Sequence, residues 1–192
     1  MLAVLSKFCY ESLMSFDRDK FKALVLYVIW RTDNARDFGA TKLNKVLWFS
    51  DARAFQALGK SVTGETYVRQ QFGPVPKHIR DVLDELQGDG LIQSTTETFF
   101  DFTVQRFKAH QPPDTSIFKA DELGLIDWWV KHVSEDHSAA SISELSHDYG
   151  WKLAKPGEEI PFKAFLASRI RQPRDGDELN WAKENAERIG PK

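Results

Sequence analysis

The residue types that usually perform enzyme or metal chemistry are few and poorly spaced in this chain. The only thiol is Cys9, and no cysteine-histidine motif surrounds it. The histidines contain no H-E-x-x-H pair, and the spacing of His132 and His137 predicts that they point to different faces of a helix. These patterns predict a protein without a catalytic, cofactor or metal site.

A Gly-Lys-Ser tripeptide at residues 59–61 is the remaining chemical candidate, because phosphate-binding loops end in this triplet. Such a loop needs a glycine about five residues earlier and a helix directly after it. Here position 54 is alanine, and the predicted helix precedes the tripeptide. We interpret the tripeptide as a chance match, which again favours a non-enzymatic protein.

Composition indicates one folded domain without a strong overall electric field. The 192 residues are 42% hydrophobic and carry a formal charge of -2, which predicts a single domain over residues 1–192 with one substantial core. A single cysteine excludes an internal disulfide and is typical of the cytoplasm. The longest apolar run, ALVLYVIW, is too short for a membrane span, and no signal peptide is predicted.

Helical periodicity dominates the first half of the chain. DKFKALVLYVIWRT predicts a mostly buried helix, and TKLNKVLWFSDARAFQALGK predicts a second one, with Thr41 as its N-cap and Gly59 at its end. ETYVRQQF predicts a strand that Gly73 and Pro74 terminate. A short amphipathic helix follows, with Pro76 in its first turn, Gly88 at its end and Ile79, Val82, Leu83 and Leu86 facing inward.

The second half predicts a hairpin and then further helices. LIQSTTETFFDFTVQRFKAH alternates as two strands, and KADELGLIDWWVKHVSE has helical spacing. Ser141 and Glu144 have the spacing of a capping box, IPFKAFLASRI predicts a short helix, and residues 177–189 predict a polar terminal helix. The expected fold is α+β and mainly α-helical, with a small antiparallel β-sheet and a winged-helix-like first part.

Three linked motifs carry a family resemblance over residues 20–170. The second predicted helix reads K-L-N-K-V-L-W-F and breaks at Gly59-Lys60, a Gly-Pro-Val segment follows the first strand, and S-x-x-E-L-S-H then precedes a tryptophan. The matching residues are Lys42, Leu43, Lys45, Leu47, Trp48, Gly73, Pro74, Val75, His147 and Trp151. With these motifs the chain resembles the Panacea domain, also called the SocA-like or GepA-like antitoxin family. The resemblance implies a bacterial or phage antitoxin that neutralises, by direct binding, a toxin encoded by an adjacent gene.

Aromatic residues suggest where a protein partner would bind. Trp48 is adjacent to Phe49 and Trp128 to Trp129, so at least one member of each pair is predicted to leave the inward helical stripe. Exposed aromatic side chains beside arginine are typical of interface hot spots. The candidate toxin-interface residues are Trp48, Tyr67, Arg69 and Phe72.

A winged-helix DNA-binding regulator is the alternative function. The cations that could hold phosphates are Lys42, Lys45, Arg53, Lys60, Arg69, Lys77 and Arg80. The short helix after Pro76 also carries Asp81, Asp84 and Glu85, which would repel a DNA backbone if this helix entered the groove. DNA binding is therefore the weaker prediction. The sequence leaves open the identity of the toxin and whether the chain forms a homo-oligomer.

Overall fold

A computed structural model of the chain describes residues 15–35, 37–99, 102–161 and 164. Its helices and strands, in chain order, are α1 (Arg18–Arg31), α2 (Ala40–Leu58), β1 (Tyr67–Gln70), β2 (Gly73–Pro76), α3 (Ile79–Gly88), β3 (Ile92–Phe99), β4 (Phe102–Ala109), α4 (Ala120–Glu135), α5 (Ala139–Ser146) and α6 (Tyr149–Leu153). The strands form two separate antiparallel hairpins, β1 with β2 and β3 with β4. The predicted mainly helical α+β fold is confirmed, although its strands form two small sheets instead of one.

Helix α2 lies at the centre of the described fold and packs against α1, β2, α4 and α5. It ends where predicted, at Gly59, whose φ of 77° is readily adopted only by glycine. Its N-cap is Gly39 and not Thr41, so that prediction is wrong. A Cβ on Gly39 would lie 2.7 Å from Val104 Cγ1, so β4 approaches the chain too closely there for a larger capping residue.

The segment after β1 departs from the prediction. Gly73 and Pro74 do not terminate the strand region but begin β2, which returns along β1 with Tyr67 opposite Pro76. Pro76 therefore lies in a strand, and α3 begins only at Ile79. The lack of an N–H on proline is tolerated because, among the described strands, β2 pairs with β1 alone.

Helix α3 and the β3–β4 hairpin follow the predicted pattern. Val82 and Leu86 of α3 are buried, and Ile79 and Leu83 pack against the core. The β3–β4 register runs continuously from Ile92 opposite Ala109 to Phe99 opposite Phe102. The order of two helices, a hairpin, a helix and a second hairpin is compatible with a winged-helix-like first part, which stays a prediction.

The last helices add a second layer beside α2. Helix α4 places Trp129 against Phe49 of α2, with stacked rings whose centroids are 4.4 Å apart. The N-cap of helix α5 is Ser138, whose side chain accepts a hydrogen bond from the Ser141 amide. The predicted capping box of Ser141 with Glu144 is therefore wrong, because the chain enters the helix three residues earlier.

The two predicted C-terminal helices lie outside the described residues, except for 160, 161 and 164 of the first one. In the described ranges, none of the helices has the length and apolar character that a membrane crossing requires.

Candidate functional site

Both lysines of the α2 motif are buried, although lysine is usually exposed. Lys42 Nζ lies 2.6 Å from Asp37 Oδ2 in the loop before α2. Lys45 Nζ donates a hydrogen bond of 3.1 Å to the carbonyl oxygen of Pro74. Burial lowers the pKa of Lys45 from its ordinary 10.5 to about 7. The two lysines therefore connect α2 to the preceding loop and to β2, while Leu43, beside them, is buried in the core.

Gly73 lies where the β1–β2 hairpin meets α2 and α5. Its φ is 104°, a conformation that other residues rarely adopt. A Cβ built on Gly73 would lie 2.3 Å from Ser146 Oγ and 2.8 Å from Lys45 Nζ. Pro74 supplies the carbonyl group for Lys45, and Val75 is half-buried in β2. The Gly-Pro-Val segment therefore packs the hairpin tightly onto two helices.

The third motif places His147 and Trp151 beside β1. Their rings are stacked, with centroids 3.8 Å apart and an interplanar angle of 14°. The Arg69 guanidinium lies 4.2 Å from the centroid of Trp151, and Trp151 Nε1 donates to the carbonyl of Gln70 at 3.1 Å. Burial lowers the pKa of His147, whose Nε2 has no hydrogen-bond partner among the described residues. All three motifs thus meet around one hairpin.

An open groove separates α2 from the turn of this hairpin. Its volume is about 290 Å³, and it is lined by Ala40, Thr41, Asn44, Lys45, Gln70, Gln71, Phe72 and Val75. Phe72 lies at the turn and is 61% exposed, and its neighbours Gln70 and Gln71 are also exposed. The site therefore combines an exposed aromatic ring with polar neighbours on a firmly held turn. We refer to Gln70, Gln71 and Phe72 as the hairpin surface.

Trp48 and Tyr67 do not belong to the accessible part of this site. Both are buried, and their rings meet edge to face with centroids 5.0 Å apart. The Tyr67 hydroxyl also donates to Asp51 Oδ2 at 2.8 Å. The prediction of an exposed contact role for Trp48 and Tyr67 is wrong, because α2 and β1 cover each other at this point. Toxin contact through Arg69 and Phe72 stays a prediction.

Of the two pairs of adjacent aromatic residues, Trp48–Phe49 and Trp128–Trp129, only the second has one buried and one exposed member. Trp48 and Phe49 are both buried, because β1 covers one side of α2 and α4 covers another. Trp128 is 54% exposed, whereas Trp129 is buried. The predicted exposure of one member is therefore wrong for the first pair and confirmed for the second.

A buried carboxylate on α2 was missed by the sequence interpretation. Asp51 accepts hydrogen bonds from the amide and hydroxyl of Thr63, at 2.8 and 2.7 Å, in addition to the one from Tyr67. Burial raises the pKa of Asp51 to about 6, although these hydrogen bonds act in the opposite direction. Its only sequence signal is an acidic residue within an otherwise apolar stretch of helix. Asp51 joins α2 to the loop before β1 and to β1 itself.

Two of the cations that would support DNA binding lie inside the fold. Lys42 and Lys45 are buried and cannot reach phosphates, so their predicted role in that alternative is wrong. On α3, Glu85 accepts from Arg18 at 3.1 Å and lies 3.7 Å from Lys22. Glu85 is thus directed toward cations of α1, whereas Asp81 and Asp84 of the same helix are exposed. DNA binding itself stays a prediction, weakened by this loss of accessible lysines.

The prediction that His132 and His137 point to different faces of a helix is wrong. Their Nε2 atoms are 3.3 Å from each other. The expectation assumed one continuous helix, but α4 ends at Glu135 and the chain turns at Asp136. Neither histidine lines the groove at the hairpin surface.

The described fold and its motifs define a mainly helical domain built around a buried lysine pair and a Gly-Pro-Val hairpin. The family model described as antitoxin SocA-like, Panacea domain, matches residues 43–152, more than half of the chain. The chain belongs to this family, which confirms the resemblance predicted from the motifs. A comparison with curated proteins returns no match.

Family membership indicates an antitoxin role within a toxin-antitoxin system. It also indicates the general class of partner, a cognate toxin, and a regulatory role. Lys45, Gly73, Pro74, Val75 and His147, which carried the resemblance, lie inside the matched range together with the hairpin surface.

Proposed function

We propose that this protein neutralises its cognate toxin by direct binding through the hairpin surface. The observation that carries the proposal is the exposure of Phe72 on a turn that buried contacts hold in place. Aromatic side chains on preorganised elements contribute strongly to protein interfaces, because little conformational entropy is lost when the partner binds. The toxin is encoded by a gene adjacent to that of the antitoxin.

Arg69 holds the strand next to the hairpin surface in place and is not itself at the centre of the proposed toxin contact. It is half-buried, lies over the Trp151 ring and donates to the carbonyl of Ala154 at 2.5 Å. These contacts join β1 to the segment after α6. Charge reversal at Arg69 would disturb them as well as any toxin contact, so Phe72 offers the cleaner test.

Phe72→Ala is expected to weaken toxin binding about tenfold or more, which corresponds to about 1.4 kcal/mol or more. The folded domain should persist, because Phe72 is mostly exposed. The measurements are the dissociation constant of the purified pair and the rescue of growth when the variant is co-expressed with the toxin.

Trp128→Ala is the matched control, since Trp128 is also an exposed aromatic residue but lies on α4. We expect this variant to bind and rescue as the wild-type protein does. Full rescue by Phe72→Ala, or loss of rescue only in Trp128→Ala, would overturn the hairpin surface as the binding site. If no neighbouring gene encodes a toxic product and no partner copurifies with the protein, direct neutralisation itself is refuted.

A further inference from the structure

Two imidazole rings converge where α4 ends. His132 lies in the last turn of α4, and His137 follows the C-cap residue Asp136. The two Nε2 atoms are 3.3 Å apart, and the ring planes are inclined at 81°. This arrangement lies outside the hairpin surface and has no part in the proposed toxin contact.

The outer nitrogen of each ring already has a partner. His132 Nδ1 lies 2.7 Å from Asp136 Oδ2, and His137 Nδ1 lies 3.1 Å from Ser141 Oγ. A neutral imidazole carries one proton, and a carboxylate beside Nδ1 favours that proton on Nδ1. When both rings carry their proton there, two Nε2 lone pairs face each other. A proton on one Nε2 would make this contact an N–H···N hydrogen bond, and a metal cation between the two lone pairs would satisfy both nitrogens instead.

The separation of the two nitrogens suits a shared metal ion. Two nitrogens on one tetrahedral Zn²⁺, each roughly 2.0–2.1 Å from the metal, are about 3.3–3.4 Å apart. The observed distance between the Nε2 atoms of His132 and His137 is 3.3 Å. A carboxylate that accepts from the other nitrogen of a ligating histidine is also a regular feature of protein zinc sites. Asp136 occupies that position relative to His132.

The surroundings hold the His132 ring in place and favour a cation. Trp128 stacks on His132 with centroids 4.6 Å apart, and Trp129 meets the same ring edge-on at 5.5 Å. The side chain of His132 remains 28% exposed, so an ion can reach it from solvent. The carboxylate of Asp136 and the C-terminal end of α4 both contribute negative potential.

We propose that His132 and His137 bind Zn²⁺, or a similar divalent transition-metal ion that prefers imidazole nitrogen, through their Nε2 atoms. Asp136 positions His132 for this role. In the part of the chain that the structure describes, no group of three or more histidine, cysteine or carboxylate side chains forms a ready-made metal cluster. Among the described residues the ion has two ligands, and water completes its coordination, so that the ion is exchangeable.

The test is a calorimetric titration of zinc chloride into the full chain, prepared without a polyhistidine tag, at about pH 7.5. Wild-type protein is expected to bind one Zn²⁺ per chain saturably. His132→Gln and His137→Gln should each weaken binding by at least about tenfold, and Asp136→Asn by about tenfold through loss of positioning. His110→Gln, which changes an exposed histidine in another part of the fold, should bind as the wild-type protein does.

A thermal measurement provides a second readout that depends on folded protein. Zn²⁺ should raise the Tm of the wild-type and His110→Gln proteins but not that of the two variants of the pair. Absence of saturable binding to the wild-type protein, or binding unchanged in both His132→Gln and His137→Gln, would overturn the proposal. Neither result would affect toxin neutralisation, which the Phe72 variant tests separately.

Discussion

Gly73→Ala is expected to lower the free energy of unfolding by about 2 to 4 kcal/mol, the sum of backbone strain and overpacking. The φ of 104° disfavours any side chain, and the new Cβ would meet Ser146 Oγ and Lys45 Nζ. The hairpin would have to move away from α2 and α5 to accommodate the methyl group. Equilibrium unfolding in urea measures the loss.

Gly59→Ala is the matched control for that experiment. Gly59 also has a positive φ, of 77°, but apart from its own neighbours along the chain no atom of the described residues lies within 4 Å of the position that a Cβ would take. We expect this variant to lose only the strain contribution, about 1 to 2 kcal/mol. Equal losses in Gly59→Ala and Gly73→Ala would show that the close contacts of Gly73 do not constrain the hairpin.

The stability of the wild-type protein is expected to increase with pH, by about 3 kcal/mol between about pH 7 and 9.5. Burial lowers the pKa of Lys45 to about 7 in the folded protein, from an ordinary value of 10.5. Between about pH 7 and pH 10.5 the Lys45 amine is therefore protonated in the unfolded chain and mostly neutral in the folded protein. The unfolded state then binds more protons, so raising the pH favours the folded state. Urea unfolding at a series of pH values measures the slope.

Lys45→Met should remove this increase, because methionine fills a similar volume without an ionisable group. Lys131→Met serves as its control, since the Lys131 side chain is 74% exposed, and it should keep the wild-type slope. A wild-type stability that does not change between these pH values would contradict the buried, partly neutral state of Lys45.

The sequence predicted well those elements whose signals are local. Gly59 ends α2 because a glycine there can adopt a positive φ, and this requirement can be recognised without knowing any distant contact. The inward stripe of α3, with Val82 and Leu86, follows from helical spacing alone. The limits of β2 were not predicted, because a glycine followed by proline usually ends a strand and the return along β1 depends on pairing.

The candidate site was also only partly predictable, because the exposure of its residues depends on contacts between distant segments. A four-residue strand has two faces, and its sequence does not say which face another element will cover. Tyr67 is covered by α2, where Trp48 and Asp51 contact it. Phe72 lies at the turn beyond that cover and is exposed. The proximity of His132 and His137 could not be predicted either, since it depends on the chain leaving the helix between them.

The sequence by itself determined the helix spacing, the main capping glycine and the ordered motifs that place the chain in the SocA-like Panacea family. These features depend on neighbours along the chain or on a linear pattern. Only the tertiary structure decided that Lys45 is buried with its amine on the Pro74 carbonyl and that Gly73 fits against Ser146. Burial and hydrogen bonding between distant segments arise when the whole chain packs, so residue type and spacing alone do not specify them.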